Sequence, residues 1–158
     1  MSFTSELDTG SSDIALTRGH LWLGYSGLLP FLGLAAAAFV FPENESLEFA
    51  RWHLSYAALI FSFLGGLLWF ASLSTSINTR QRNELAAVAV ATMLWAWCWL
   101  LLAPFDARLI AGLSFLALLI YERKRQLVLR HCGYSEEFLV LRLRLSVVAA
   151  LSLLVTAF

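Results

Sequence analysis

The side chains of this sequence best suited to ligation or proton transfer are His20, His53, His131, Cys98, Cys132 and the pair Asp106 and Arg108. Imidazole and thiolate are the usual ligands of haem, zinc and copper. His20 and His53 bracket an uncharged run, Leu21–Phe41. As a helix that run is roughly 30 Å long at 1.5 Å per residue, so one haem cannot be held by both rings. His131 falls in a polar stretch with no ligand spacing around it. Cys98 lies in an apolar run and Cys132 in a polar one, which argues against a disulfide. Asp106 and Arg108 flank the start of another apolar run and are expected at lipid headgroups. No Ser/His/Asp set or carboxylate pair falls inside an apolar run. The expectation is therefore no enzyme, no metal and no cofactor.

The second kind of chemistry is close packing. Ser55, Ala58, Ser62, Gly65 and Ser72 recur at spacings of three, four, three and seven, which places them along one helix stripe. Gly66 widens that stripe and Trp69 follows it. Gly24, Gly27 and Ala35, with Gly33 nearby, offer a matching surface on an earlier run that also contains Pro30. Between membrane helices, small residues let backbones approach and serine hydroxyls bond across. Helix packing is the first reading of Gly24, Gly27, Pro30, Ser55, Ser62, Gly65, Gly66 and Trp69. The alternative is a groove for a lipid or quinone tail. Trp95, Trp97 and Trp99 read as an aromatic belt or as packing residues, with Trp95 and Trp99 on one face. Arg123, Lys124 and Arg125 set topology or meet anionic headgroups.

The elements that must position these residues follow from composition. The 158 residues are 59% hydrophobic and 14% charged, with six Trp, twelve Phe and zero net charge. Soluble domains average about 45–50% apolar and about 25% charged. Nothing favours nucleic acid; lipid is the expected solvent, with membrane lipids and other inner-membrane proteins as partners. Spans are expected at about 21–41, 54–74, 85–103, 105–121 and 138–158, the fourth requiring Asp106 and Arg108 at the headgroups and the fifth requiring Arg142 and Arg144 to snorkel outward. This predicts an all-α integral membrane bundle of about five transmembrane helices over residues 20–158, after a disordered polar tail over 1–19. Glu122–Arg125 is expected to extend the fourth helix into water, and Glu43, Glu45 and Glu48 to form an acidic loop. Nine basic residues (Arg18, Arg80, Arg82, Arg123, Lys124, Arg125, Arg130, Arg142, Arg144) fall on one side and two (Arg51, Arg108) on the other. The rich side belongs in the cytoplasm, with the N-terminus there and the C-terminus in the periplasm. The tail resembles neither a signal peptide nor a transit peptide, which points to a bacterial inner membrane.

Two stretches carry a resemblance. Leu23-Gly24-Tyr25-Ser26-Gly27-Leu28-Leu29-Pro30-Phe31 is similar to the first-helix signature of a domain-of-unknown-function family, number 3429. Tyr56-Ala57-Ala58-Leu59-Ile60-Phe61-Ser62-Phe63-Leu64-Gly65-Gly66 looks like its second, with Trp69 where the family's tryptophan falls and Leu141-Arg142-Leu143-Arg144-Leu145 like its last basic lead-in. Leu68 stands where many members have His. The family includes the mitochondrial transmembrane protein 69 and proteobacterial inner-membrane proteins. The resemblance implies a membrane bundle and supplies no activity. The functional expectation is a non-enzymatic scaffold or accessory subunit of a membrane complex, with a lipid- or quinone-binding protein as the alternative.

Overall fold

A computed structural model describes residues 18–40 and 43–157. Most of the polar tail, together with Phe41, Pro42 and Phe158, lies outside the described residues. The described chain forms seven helices and no strand: α1 (Arg18–Ser26), α2 (Leu29–Val40), α3 (Glu43–Ser72), α4 (Thr79–Trp99), α5 (Pro104–Lys124), α6 (Gln126–His131) and α7 (Glu136–Val155). Three helical stretches are long and apolar enough to cross a membrane: Arg18–Ala38, Leu47–Ser72 and Glu136–Val155. The molecule is an all-helical membrane protein.

The first apolar run is not one continuous helix. Pro30 has no N–H to give the carbonyl of Ser26, and its ring crowds that carbonyl. The helix therefore closes with Leu28 N–H donating to Tyr25 O at 3.0 Å and restarts at Leu29. The Tyr56 hydroxyl of α3 donates to Gly27 O at 2.7 Å. A backbone group freed by the break is thus served by a neighbouring helix, as lipid requires.

Helix ends differ from the uncharged runs. α3 starts at Glu43, so Glu43, Glu45 and Glu48 belong to a helix and not to a loop. Glutamate is a good helix former and is favoured near a positive helix N-terminus. α4 starts at Thr79 under a capping box. Asn78 Oδ1 accepts from Gln81 N–H at 2.9 Å, and Gln81 Oε1 accepts from Asn78 N–H at 3.3 Å. Pro104 opens α5, where its missing donor costs nothing. Ser135 Oγ accepts from Phe138 N–H at 3.2 Å to open α7, with Glu136 and Glu137 in its first turn.

Packing centres on α3, which lies along α4, α2 and α5, while α5 also lies along α7. Phe31, Phe61, Trp99 and Phe115 form a ring cluster in the core, with the Phe61 and Trp99 centroids 4.7 Å apart and Phe61 and Phe115 5.2 Å apart. Around it, Ala57, Ala58, Ala96, Ala107, Ala111 and Ala150 are buried and keep the helices close. α1 buries no residue and is the most loosely held helix.

Candidate functional site

The antiparallel packing of α5 on α7 brings two charges together that are twenty residues apart. Arg142 Nη2 donates to Glu122 Oε1, with the side chains 3% and 7% exposed. This corrects two expectations. Arg142 does not snorkel, and Glu122 does not stand in water. An isolated ion in low dielectric is far costlier than a hydrogen-bonded pair, so each side chain turns to the other. Arg142 also lies over Phe138, its guanidinium carbon 5.9 Å from the ring centroid. Its Nε and Nη1 are buried with no hydrogen-bond partner among the described residues. The Tyr134 hydroxyl, which shares this corner, donates instead to Leu67 O at 2.6 Å. Burial pushes that phenol up to about 12, Arg142 acting weakly in the opposite sense, so Tyr134 stays a donor at ordinary pH.

Beside this pair is a cavity of about 330 Å³ walled by α1, α2, α3, α5 and α7. That volume lies within the range of small-molecule sites. Leu23, Leu28, Phe31, Ile60, Phe63 and Leu145 contribute apolar wall; His20, Arg142 and Ser146 are its polar members. Gly24 forms the close approach of α1 to α7: a Cβ there would lie 3.2 Å from Leu141 Cδ2 and 3.6 Å from Leu145 Cδ1. The wall contributed by α1 is also the one with no buried residue.

A second polar group lies at the opposite end of the bundle. Arg108 is 1% exposed, not at a headgroup as expected, whereas Asp106 two residues earlier is exposed. Half a turn of helix separates an outward position from an inward one, and Arg108 takes the inward one. Its charge acts on His53, which is fully buried in α3. His53 Nε2 lies 3.4 Å from Ser152 Oγ, and its ring stands edge-on to Phe31 at 5.7 Å.

The other expected site residues divide. Gly24 and Gly27 line the cavity, and Pro30 sits at the helix break beside it. Gly65 faces α4 and not the first run: a Cβ there would fall 1.9 Å from Thr92 Oγ1 and 2.9 Å from Ala89 O. Gly66, one residue on, is exposed, and a Cβ there would meet nothing within 4 Å. Ser62 is half-buried, and Ser55 and Trp69 are exposed. The stripe therefore twists out of its contact at Ser55, because spacings of three and four drift around a helix of 3.6 residues per turn. The tail groove expected at Gly65 and Gly66 is filled by α4 on the Gly65 side; the cavity lies on another face of α3. Arg123 and Lys124 are exposed, whereas Arg125 reaches α4, its Nη2 2.5 Å from Glu84. Tyr121 also donates to Glu84, at 3.1 Å. Trp95 Nε1 donates to Ser114 Oγ at 2.9 Å, and Trp99 is fully buried, so the two do not share one environment. The Glu122–Arg142 pair and the Tyr134 contact went unforeseen. The available signal was a single Arg set among leucines in Leu141-Arg142-Leu143, with a carboxylate at the end of the preceding apolar run.

No curated protein and no solved structure matches the chain. A family model does, over residues 16–158, which takes in both buried charge groups and every wall of the cavity. The chain belongs to the family described as "Protein of unknown function (DUF3429)".

Proposed function

We propose that the protein is a five-crossing membrane protein that holds one amphiphilic molecule, a lipid or a quinone, with its chain in the apolar cavity and its polar end at Arg142. The observation that carries this reading is the cavity itself: about 330 Å³, apolar on nearly every side, with the buried Arg142 among the residues around it. Ligand sites have this composition, an apolar enclosure with a few placed polar groups. Lipid supplies such molecules at high local concentration, and a buried ionisable group in a membrane protein usually marks a ligand or ion site.

The crossing scheme rests on the three apolar stretches together with α4 and α5, each 21 residues and so about 31 Å long. Basic residues in the first turn of α4 (Arg80, Arg82) and at and after the end of α5 (Arg123, Lys124, Arg125, Arg130) belong on the cytoplasmic side of a bacterial inner membrane, with the N-terminus inside and the C-terminus in the periplasm. An alkaline phosphatase fused after Phe158 is then active. The first expectation from the sequence, a non-enzymatic scaffold or accessory subunit, rested on small-residue packing faces and on the lack of buried charge; Gly65 packs within the bundle against α4, and Arg142 and Glu122 are a buried charged pair.

Native mass spectrometry of the full chain in mild detergent tests the binding. Wild type should retain one hydrophobic ligand. Gly24→Leu, which puts a side chain into the cavity wall, should release it, and Gly66→Leu should not. A wild-type protein that carries nothing, even after incubation with extracted membrane lipids, overturns the reading.

A further inference from the structure

We propose a second site, outside the cavity: the groove between α4 and α5 holds one acyl chain of a zwitterionic phospholipid, with its phosphate at Arg125 and its ammonium group at Glu84. This rests on α4 and α5 crossing the bilayer and is independent of the cavity ligand. The groove encloses about 320 Å³. Phe61 of α3, Ala91 of α4 and Ala117 of α5 line it, and both alanines are exposed, so it opens outward to lipid. At one end Trp95 Nε1 donates across it to Ser114 Oγ at 2.9 Å. At the other, Tyr121 lines the groove and its hydroxyl donates to Glu84 Oε1 at 3.1 Å. The carboxylate is therefore one hydrogen bond from the groove wall. Arg125 Nη2 meets the same carboxylate at 2.5 Å. The side chains of Arg125 and Glu84 are 38% and 31% exposed, so a headgroup can reach both.

Length and charge name the occupant. The helices run antiparallel along the groove, because Trp95 pairs with Ser114 and Glu84 with Arg125. From Glu84 to Trp95 is eleven residues, roughly 16 Å of helix. Half of a hydrocarbon core about 30 Å thick has nearly the same depth. A groove charged at one end and apolar for the depth of one leaflet fits a lipid with its headgroup at the pair and its chain running toward the bilayer centre. The headgroup follows from donors and acceptors. A guanidinium has five N–H donors, and only Nη2 of Arg125 meets an acceptor among the described residues, which leaves donors for a phosphate. A carboxylate offers about four acceptor positions, so Glu84 has room for an N–H donor beside Arg125 and Tyr121. An ammonium headgroup supplies that donor and keeps the sum of charges at zero. A glycerol headgroup sets the phosphate charge beside Glu84 with nothing to offset it, and a choline headgroup has no N–H to give. Arg80, Arg123 and Lys124, exposed close by along the chain, draw any phosphate, so Glu84 is the residue that selects.

Dioleoyl phosphatidylethanolamine, phosphatidylglycerol and phosphatidylcholine, added in equal amounts to the full-length protein in mild detergent, separate the cases by native mass spectrometry. The ethanolamine lipid should be retained about five-fold over the other two, the scale of one partly exposed charge pair. Ala117→Phe, which puts a ring into the open groove, should remove it, and Gly24→Leu, in the cavity wall, should not. Glu84→Gln should abolish the preference over the glycerol lipid. Equal retention of the three lipids by wild type overturns the inference, as does an unchanged preference in a folded Glu84→Gln variant. Should that variant not fold, the wild-type ranking and Ala117→Phe decide. Loss of the lipid in Gly24→Leu with retention in Ala117→Phe places it in the cavity, which overturns the groove and leaves the cavity reading standing. A dimer that Ala117→Phe dissociates, with no lipid bound, shows a second copy in the groove and also overturns it. The phosphatase fusion tests the crossing scheme separately, so wild type that retains none of the three lipids while the fusion is active overturns this site alone.

Discussion

The α3–α4 hairpin and the α1–α2 arm are made of the same material, small and apolar residues with glycines at intervals, yet they do opposite things. In the hairpin, Gly65 lets α4 come so near that Thr92 and the Ala89 carbonyl occupy the space of a side chain. In the arm, Gly24 meets only the flexible ends of Leu141 and Leu145, Gly33 meets nothing within 4 Å, and α1 buries no residue. A glycine in a membrane helix thus lets a second helix approach, and how rigid the contact is depends on what stands opposite: backbone and Thr92 at Gly65, leucine side-chain ends at Gly24. At Gly24 the leucines opposite, Leu141 and Leu145, line the cavity with it. The hairpin reads as the rigid frame and the arm as the more loosely packed wall of the cavity.

The largest expected effect follows from this contrast. Gly65→Leu should prevent α3 and α4 from closing, because one of the atoms it meets is a backbone carbonyl that cannot swing aside. Overpacking by several methylenes costs typically about 1–3 kcal/mol and more where backbone must move. The variant should lose its monodisperse peak in detergent or melt well below wild type. Gly66→Leu, one residue along, should change stability by less than about 0.5 kcal/mol. Equal melting temperatures for the two variants would break the comparison.

A smaller effect is expected where the arm is fastened. Tyr56→Phe removes the hydroxyl that serves Gly27 O. One hydrogen bond contributes about 1 kcal/mol net. The loss should appear locally, as faster hydrogen exchange over residues 21–28 with little change in α4. Uniform acceleration in both regions would mean that the arm and the hairpin unfold as one unit, and the division between them would be lost.

The two regions were not equally legible. Uncharged length located the apolar segments, because water-to-lipid transfer is summed over about twenty residues and tolerates local error. It misplaced the ends, because an uncharged run measures depth in lipid whereas a helix is bounded by its hydrogen bonds. α3 runs back to Glu43 through residues that lipid rejects and helices accept. The site was less legible for a different reason. Arg142 and Arg108 sit near the ends of apolar runs, where snorkelling outward and pairing inward look alike along the chain. Only the registry of α5 on α7, set by contacts twenty or more residues apart, brings Glu122 to Arg142. Likewise nothing in the spacing of Gly65 says whether its partner is α2 or α4.

The last effect concerns a cap. Asn78 and Gln81 form the capping box that opens α4 after a short turn. Asn78→Ala removes the acceptor for Gln81 N–H and should cost about 1 kcal/mol. Because the cap lies at the turn of the frame, its loss should fray the first turn of α4 near Arg80 and Arg82, where Arg82 Nε donates to Ser72 O at 3.1 Å and ties the two helices. Hydrogen exchange should rise over residues 79–82 and stay unchanged across residues 21–28 and at the cavity, so ligand retention should equal wild type. Retention that falls along with the cap would show that the hairpin's turn positions the cavity wall, and the frame would then be part of the binding site and not merely its support.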